Sequence, residues 1–261
     1  WSAPSLMVDP TLDTPYSTLC RMTRLGDDSL VSAFFVCDRH RANQGLSNPD
    51  TDGYVLTGFG TTRSMDGGHT WSSLSRVDAP LDWDTYEMCS PILAVNESRW
   101  LFPTSTLRRW AGEVDPHGMK AVAFVSDDGG LTWPRCTEVF NFWDDHIAAW
   151  EQKQTMLSDG RVLAVCWAFD YAAKTSLRNR YALSSDWETF GDALETPLNG
   201  ETCTVLGLED NRVLCIYRRS DVGGVWAHLA QIEGEDWLPL ADVCLWGEGA
   251  LAYAEASESK F

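Results

Sequence analysis

"SDDGGLTW", Ser126 to Trp133, has a near copy upstream in "SMDGGHTW", Ser64 to Trp71. Both follow S-x-D-x-G-x-T-W. A contracted form, "SSDWETF", occupies Ser184 to Phe190, and an eroded one, "EGEDW", ends at Trp237. Repetition at roughly 50–60 residues signals a chain built from copies of one supersecondary unit. The residue types suit a tight turn. Aspartate accepts backbone N–H groups, glycine supplies a positive φ, threonine adds a side-chain hydrogen bond and tryptophan covers the turn. Asp66, Trp71, Asp128 and Trp133 therefore read as structural staples, not as catalytic groups.

The flanks of each copy repeat too. An alternating, β-branched-rich segment precedes each box ("GYVLTGFGTTRS", "MKAVAFVS", "RNRYALSS", "GVWAHLAQIEG"), and a short strand follows it. Further upstream lies a pair of apolar runs around a turn, clearest at Asp159-Gly160 in "KQTMLSDGRVLAVCWAF". Each unit reads as four strands with the box between strands three and four, which is the pattern of a β-propeller blade. Four blades are expected, at 14–79, 85–141, 147–198 and 200–246. No long window has helical periodicity, so the chain reads as all-β.

Composition narrows the partners. The 261 residues carry a formal charge of −18, which disfavours nucleic acid and anionic membrane surfaces. No apolar run approaches the ~20 residues of a membrane-spanning helix. The eight cysteines are scattered without CxxC or metal spacing, and read as buried free thiols. That usage favours a reducing, cytoplasmic setting. No metal or cofactor is expected.

The two full boxes resemble the Asp-box, or bacterial neuraminidase (BNR) repeat, of the sialidase superfamily, whose catalytic members are six-bladed propellers. The resemblance implies a glycoside hydrolase acting on terminal sialic acid or a related sugar, with a glycan as partner. It also implies that Trp1 closes the box of an earlier blade, so the chain is expected to be an internal part of a larger propeller. Catalytic sialidases use three arginines on the substrate carboxylate, a tyrosine nucleophile assisted by a glutamate, and an aspartate acid/base. "EQKQTMLSDGRVL" is similar to the context of that glutamate and places it at Glu151. Trp167 stands where the next arginine is expected. Arg218, in "CIYRR", matches the third arginine, and Tyr253, in "LAYAE", matches the nucleophile. In an alternative register, "GETCTVLGLEDNRVLCIYR" makes Glu201 and Arg218 the glutamate and second arginine.

Strand geometry gives the site's place. Residues before strand one and after strand two of each blade meet at one mouth, away from the boxes. That gathers Arg39, His40 and Arg41, then Asp82, Asp84, Glu87 and Arg108, then Asp144, Asp145, His146, Glu151 and Asp170, and finally Glu201, Arg218 and Arg219. Arginine forks suit a sugar carboxylate, and paired carboxylates suit glycosidic acid/base work. From this set Arg39, Asp84, Arg108, Glu201 and Arg219 are the candidate substrate-binding residues. Two other readings stay open: a glycosidase of the same fold acting on another, neutral sugar, or a non-catalytic propeller that binds a glycan or a protein.

Overall fold

The computed structural model describes residues 16–41, 43–88 and 90–247; Trp1 and Tyr253 lie outside them. Four large antiparallel sheets follow one another along the chain. The first contains β1 (Tyr16–Arg24), β2 (Leu30–Asp38), β5 (Thr57–Ser64) and β6 (Ser75–Val77), with β3 (Ser47–Asn48) and β4 (Gly53–Tyr54) as a small ladder in its connection. The second contains β7 (Tyr86–Glu87), β8 (Leu93–Ala94), β9 (Trp100–Thr106), β10 (Ala121–Ser126) and β11 (Arg135–Phe140). The third contains β12 (Ile147–Met156), β13 (Val162–Asp170), β14 (Thr175–Ser176), β15 (Arg180–Ser184) and β16 (Leu194–Glu195). The fourth contains β17 (Gly200–Gly207), β18 (Arg212–Arg219), β19 (Val225–Glu233) and β20 (Asp236–Trp246).

Each sheet is a meander, in which successive large strands pair antiparallel across tight turns at one end and longer connections at the other. The second sheet departs from the expected hairpin. Its first strand is split: Tyr86 and Glu87 pair with Thr106 and Ser105, while Leu93 and Ala94 pair with Leu101 and Trp100. Pro91, which has no N–H to give to a ladder, lies in the gap. The split leaves Glu87 at one end of the sheet.

Apolar side chains from neighbouring sheets interlock between them. Phe59 of the first sheet packs edge-on against Phe102 and Phe124 of the second, at 5.1 and 5.6 Å between ring centres. Leu101, Ala121 and Ala123 of the second share a core with Ala149, Val162 and Ala164 of the third. Leu163 and Val165 of the third join Val213 and Cys215 of the fourth. Each sheet thus buries a face against the next. The seven described cysteines are free thiols, with Cys37, Cys166, Cys203 and Cys215 buried.

The repeated turns close as their residues require. Asp66 accepts the Thr70 N–H at 2.8 Å and the Thr70 hydroxyl at 2.6 Å, while the Ser64 hydroxyl accepts the Gly68 N–H at 2.7 Å. Asp128 repeats this with Thr132 at 2.9 and 2.6 Å. Asp186 takes the N–H groups of Glu188 and Thr189 at 2.9 and 2.7 Å. The Trp71 indole N–H returns to Gly68 O at 3.2 Å, and Trp133 is buried against Phe102. Ion pairs tie the turns together. Arg99 and Arg135 each bridge Asp127 of the second sheet to Glu188 of the third.

Thr70 holds the Asp66 carboxyl, and Thr132 the Asp128 carboxyl, at about 2; the Thr189 and Glu188 N–H groups do the same for Asp186. Their bonds contribute stability above the ordinary carboxylate range, and that contribution is lost as pH falls from about 4 towards 2. Thermal unfolding between pH 2 and 5 is expected to show this loss. Asp128→Asn, which cannot titrate, is expected to flatten part of it; an unchanged acid limb contradicts the account.

Candidate functional site

β2 ends, and β5 begins, at the end of the first sheet opposite its box turn, and the other sheets repeat the arrangement. At this end the connections of different sheets meet. Asn48 Nδ2 and Thr51 Oγ1 donate to Trp110 O at 2.9 and 2.8 Å, joining the first sheet to the second. The Arg108 guanidinium lies 4.5 Å from the Tyr171 ring centre, joining the second to the third. Lys174 meets Asp52 at 3.2 Å, so the first sheet's connection also reaches the third. Ser176 Oγ sits 3.5 Å from Glu201 Oε1 at the start of the fourth.

A carboxylate pair lies among them. In β12 the pairing runs Trp150 to Trp167 and resumes at Lys153 to Val165, so Glu151 and Gln152 form a bulge. Bulges re-aim side chains and gather at active sites. Glu151 has φ 51°, a left-handed conformation that a non-glycine residue holds only when its surroundings enforce it. Gln152 supplies the enforcement. Its buried amide donates to Thr104 O at 2.6 Å and Val122 O at 2.5 Å, pinning β12 to the second sheet. Lys153, also buried, donates to Glu151 O at 3.0 Å.

Held this way, the Glu151 N–H donates to the Glu87 carboxylate. Burial, with Glu151 alongside, pushes the Glu87 carboxyl up to about 7; the Glu151 N–H and Lys153 only partly oppose this. Glu151 Oε2 is buried without a hydrogen-bond partner among the described residues. One carboxyl that keeps its proton near neutrality beside a second with an open oxygen is an acid/base arrangement.

An aromatic wall begins at Trp150, the residue before Glu151. Trp150 stacks on Phe169 at 5.3 Å and 18°, and meets Trp167 and Tyr171 edge-on at 5.1 and 5.5 Å. Burial raises the Tyr171 hydroxyl to about 12 despite Arg108 beside it.

The arginines have other engagements. Arg39 donates to Gln44 O at 2.9 Å within its own loop. Arg109 pairs with Asp84 at 2.7 Å, and Arg218 with Glu201 at 2.5 Å. Arg219 is held by Asp221 and Asp242 at 2.6 and 3.3 Å and covers Trp226. The bulges also place Glu151 and Glu201 at different steps of their hairpins. β17 and β18 pair Glu201 with Arg218 and resume at Thr204 with Ile216, the same step as in the third sheet. Glu201 therefore occupies the place of Trp150, not of Glu151. Where the third sheet has an aromatic pair at the mouth, the fourth has an ion pair. Glu87 was one of several mouth carboxylates in the sequence; its link to Glu151 depends on a contact 64 residues apart.

No family model matches the chain, and no curated protein does. Solved structures do. A protein of unknown function from Dyadobacter fermentans aligns over 87% of this chain and 64% of its own, with 19% identity and a TM-score of 0.65. The NanB sialidase of Streptococcus pneumoniae aligns over 89% of this chain and 49% of its own, with 12% identity and a TM-score of 0.62. The chain has a sialidase-like fold. An α-L-arabinofuranosidase of Fusarium graminearum shares that fold over 94% of this chain and 72% of its own, with 13% identity and a TM-score of 0.58. The chain thus spans less than two thirds of the first two proteins.

Proposed function

We propose that the protein is an exo-glycosidase that removes a terminal sugar, sialic acid or a related one, from glycans, and that its four large sheets are Asp-box blades of a six-bladed propeller. The Glu87–Glu151 pair at the mouth carries this reading. Glu87, protonated near neutrality, serves as general acid to the leaving oxygen. Glu151, its open oxygen unpartnered, activates the attacking group, either water or Tyr253 as the sialidase resemblance implies. Likeness to sialidases and an arabinofuranosidase supports the class of reaction.

A neutral sugar is the second reading, and two observations favour it. Trp167 replaces one expected arginine, and Arg218 is paired with Glu201. In this reading Arg39, Asp84, Arg108, Glu201 and Arg219 shape the mouth instead of clamping a carboxylate. The test is a panel of fluorogenic sialosides, arabinofuranosides and neutral pyranosides with the intact protein. Turnover of at least one is expected, falling about 10²–10⁴-fold in Glu151→Gln. No turnover across the panel, with folding intact, rejects a hydrolase and leaves a glycan-binding propeller.

A further inference from the structure

A cavity of about 270 Å³ opens between the 47–54 segment of the first sheet and the aromatic wall of the third. Trp150, Phe169, Tyr171 and Tyr54 line its apolar side, and Ser47, Asp52 and Lys174 its rim. Its volume lies near the lower end of small-molecule sites, which suits a single ring.

The cavity is built from parts held in place before any ligand arrives. Asn48 and Thr51 fasten the segment to Trp110, and the Tyr54 N–H donates to Arg108 O at 2.9 Å. At Gly53 a Cβ would stand 2.1 Å from Arg109 O, so only glycine lets the segment lie this close. On the opposite side Arg108 backs Tyr171, and the Trp150–Phe169 stack backs the wall. Preorganised walls lose little freedom on binding.

The charge pattern selects the occupant. The rim's cation, Lys174, is neutralised by Asp52 at 3.2 Å and rests 4.6 Å from the Tyr171 ring centre. An anionic ring would meet a compensated rim on a chain of charge −18. A sugar without charge has an apolar C–H face for the aromatic wall and hydroxyls for Ser47, Asp52 and Lys174. Trp150, which lines the cavity, immediately precedes Glu151 in β12.

We infer that this cavity is a subsite for one uncharged sugar ring of the glycan, stacked on the Trp150–Phe169–Tyr171 wall. The inference rests on the exo-glycosidase reading for its role but not for binding itself, and the experiment separates the two. Lactose, arabinobiose and 3′-sialyllactose are titrated into the intact protein by calorimetry and saturation-transfer NMR. At least one neutral disaccharide is expected to bind. Ser47→Trp, a change at an exposed rim position that fills the cavity, is expected to weaken it tenfold or more. Tyr171→Ala is expected to act in the same direction, and circular dichroism checks its fold.

Binding that Ser47→Trp removes supports the subsite, even if the intact protein turns over no glycoside. Neutral-sugar affinity within twofold of wild type in Ser47→Trp overturns it, even if turnover is observed. Binding of sialyllactose alone, or of none of the three at millimolar concentration, also overturns it.

Discussion

Glu87→Gln is expected to stabilise the protein above pH 7 while lowering the proposed glycosidase activity by about 10²–10⁴-fold. Both effects have one origin. Burial and the neighbouring Glu151 raise the Glu87 carboxyl from 4.5 to about 7. A carboxyl raised on folding leaves the native state with more bound protons than the unfolded chain, so stability declines as pH climbs from about 4.5 to 7. The free-energy difference is about 3 kcal/mol from the size of that displacement. Glutamine keeps an acceptor for the Glu151 N–H and removes the charge, while its amide still has to be desolvated. A net gain of about 2 kcal/mol at pH 8 is the expected balance, with little gain at pH 4. Urea titrations at pH 4, 6 and 8 measure it. Parallel pH dependence in the two proteins would show that Glu87 is not the group responsible. Such a trade of stability for activity is what a strained acid/base site produces.

The fold was legible because its signal is local and repeated. Ser64 to Trp71 and Ser126 to Trp133 each close a turn with their own side chains, so spacing alone locates the third and fourth strands of a sheet. The place of Glu151 in its strand was legible through the hairpin after it, whose Asp159-Gly160 turn sets the register of β12 on β13. The carboxylate pair was not legible. It needs the split first strand of the second sheet, which brings Glu87 forward, and the bulge that turns the Glu151 N–H toward it. Motif similarity likewise does not show that Glu151 and Glu201 take different steps in their hairpins. Both precede apolar hairpins, and the pairing shows Glu201 one step earlier, opposite Arg218. The arginines illustrate the same limit. A sequence places them at one mouth, but whether they face a ligand or a neighbouring carboxylate is decided by partners such as Asp84 and Asp221.

Gln152→Leu is expected to destabilise the protein by about 3 kcal/mol and to lower kcat more than it changes KM. Gln152 is 2% exposed, and its amide satisfies two carbonyls, Thr104 O and Val122 O, on adjacent strands of the second sheet. Leucine has similar bulk but no donor, so these two bonds are lost and the Gln154 amide loses Gln152 Oε1, its acceptor at 3.2 Å. Buried groups left unpaired cost about 1–3 kcal/mol each, although Thr104 and Val122 keep their strand surroundings and relax in part. The kinetic effect follows from position. Gln152 is the second residue of the bulge, and its anchorage is what keeps Glu151 at φ 51° with its N–H on Glu87. Freed from that anchor, the backbone relaxes toward ordinary extended geometry, and the two carboxyls separate. Glu87 then loses the neighbour that helps hold its proton, so the limb of the pH–rate profile near 7 should move to lower pH. Loss of stability with an unmoved limb would assign Gln152 to packing alone. A shifted limb that Gln152→Asn does not restore, together with a normal limb in a packing variant such as Val165→Ala, would mark it as the residue that positions the pair.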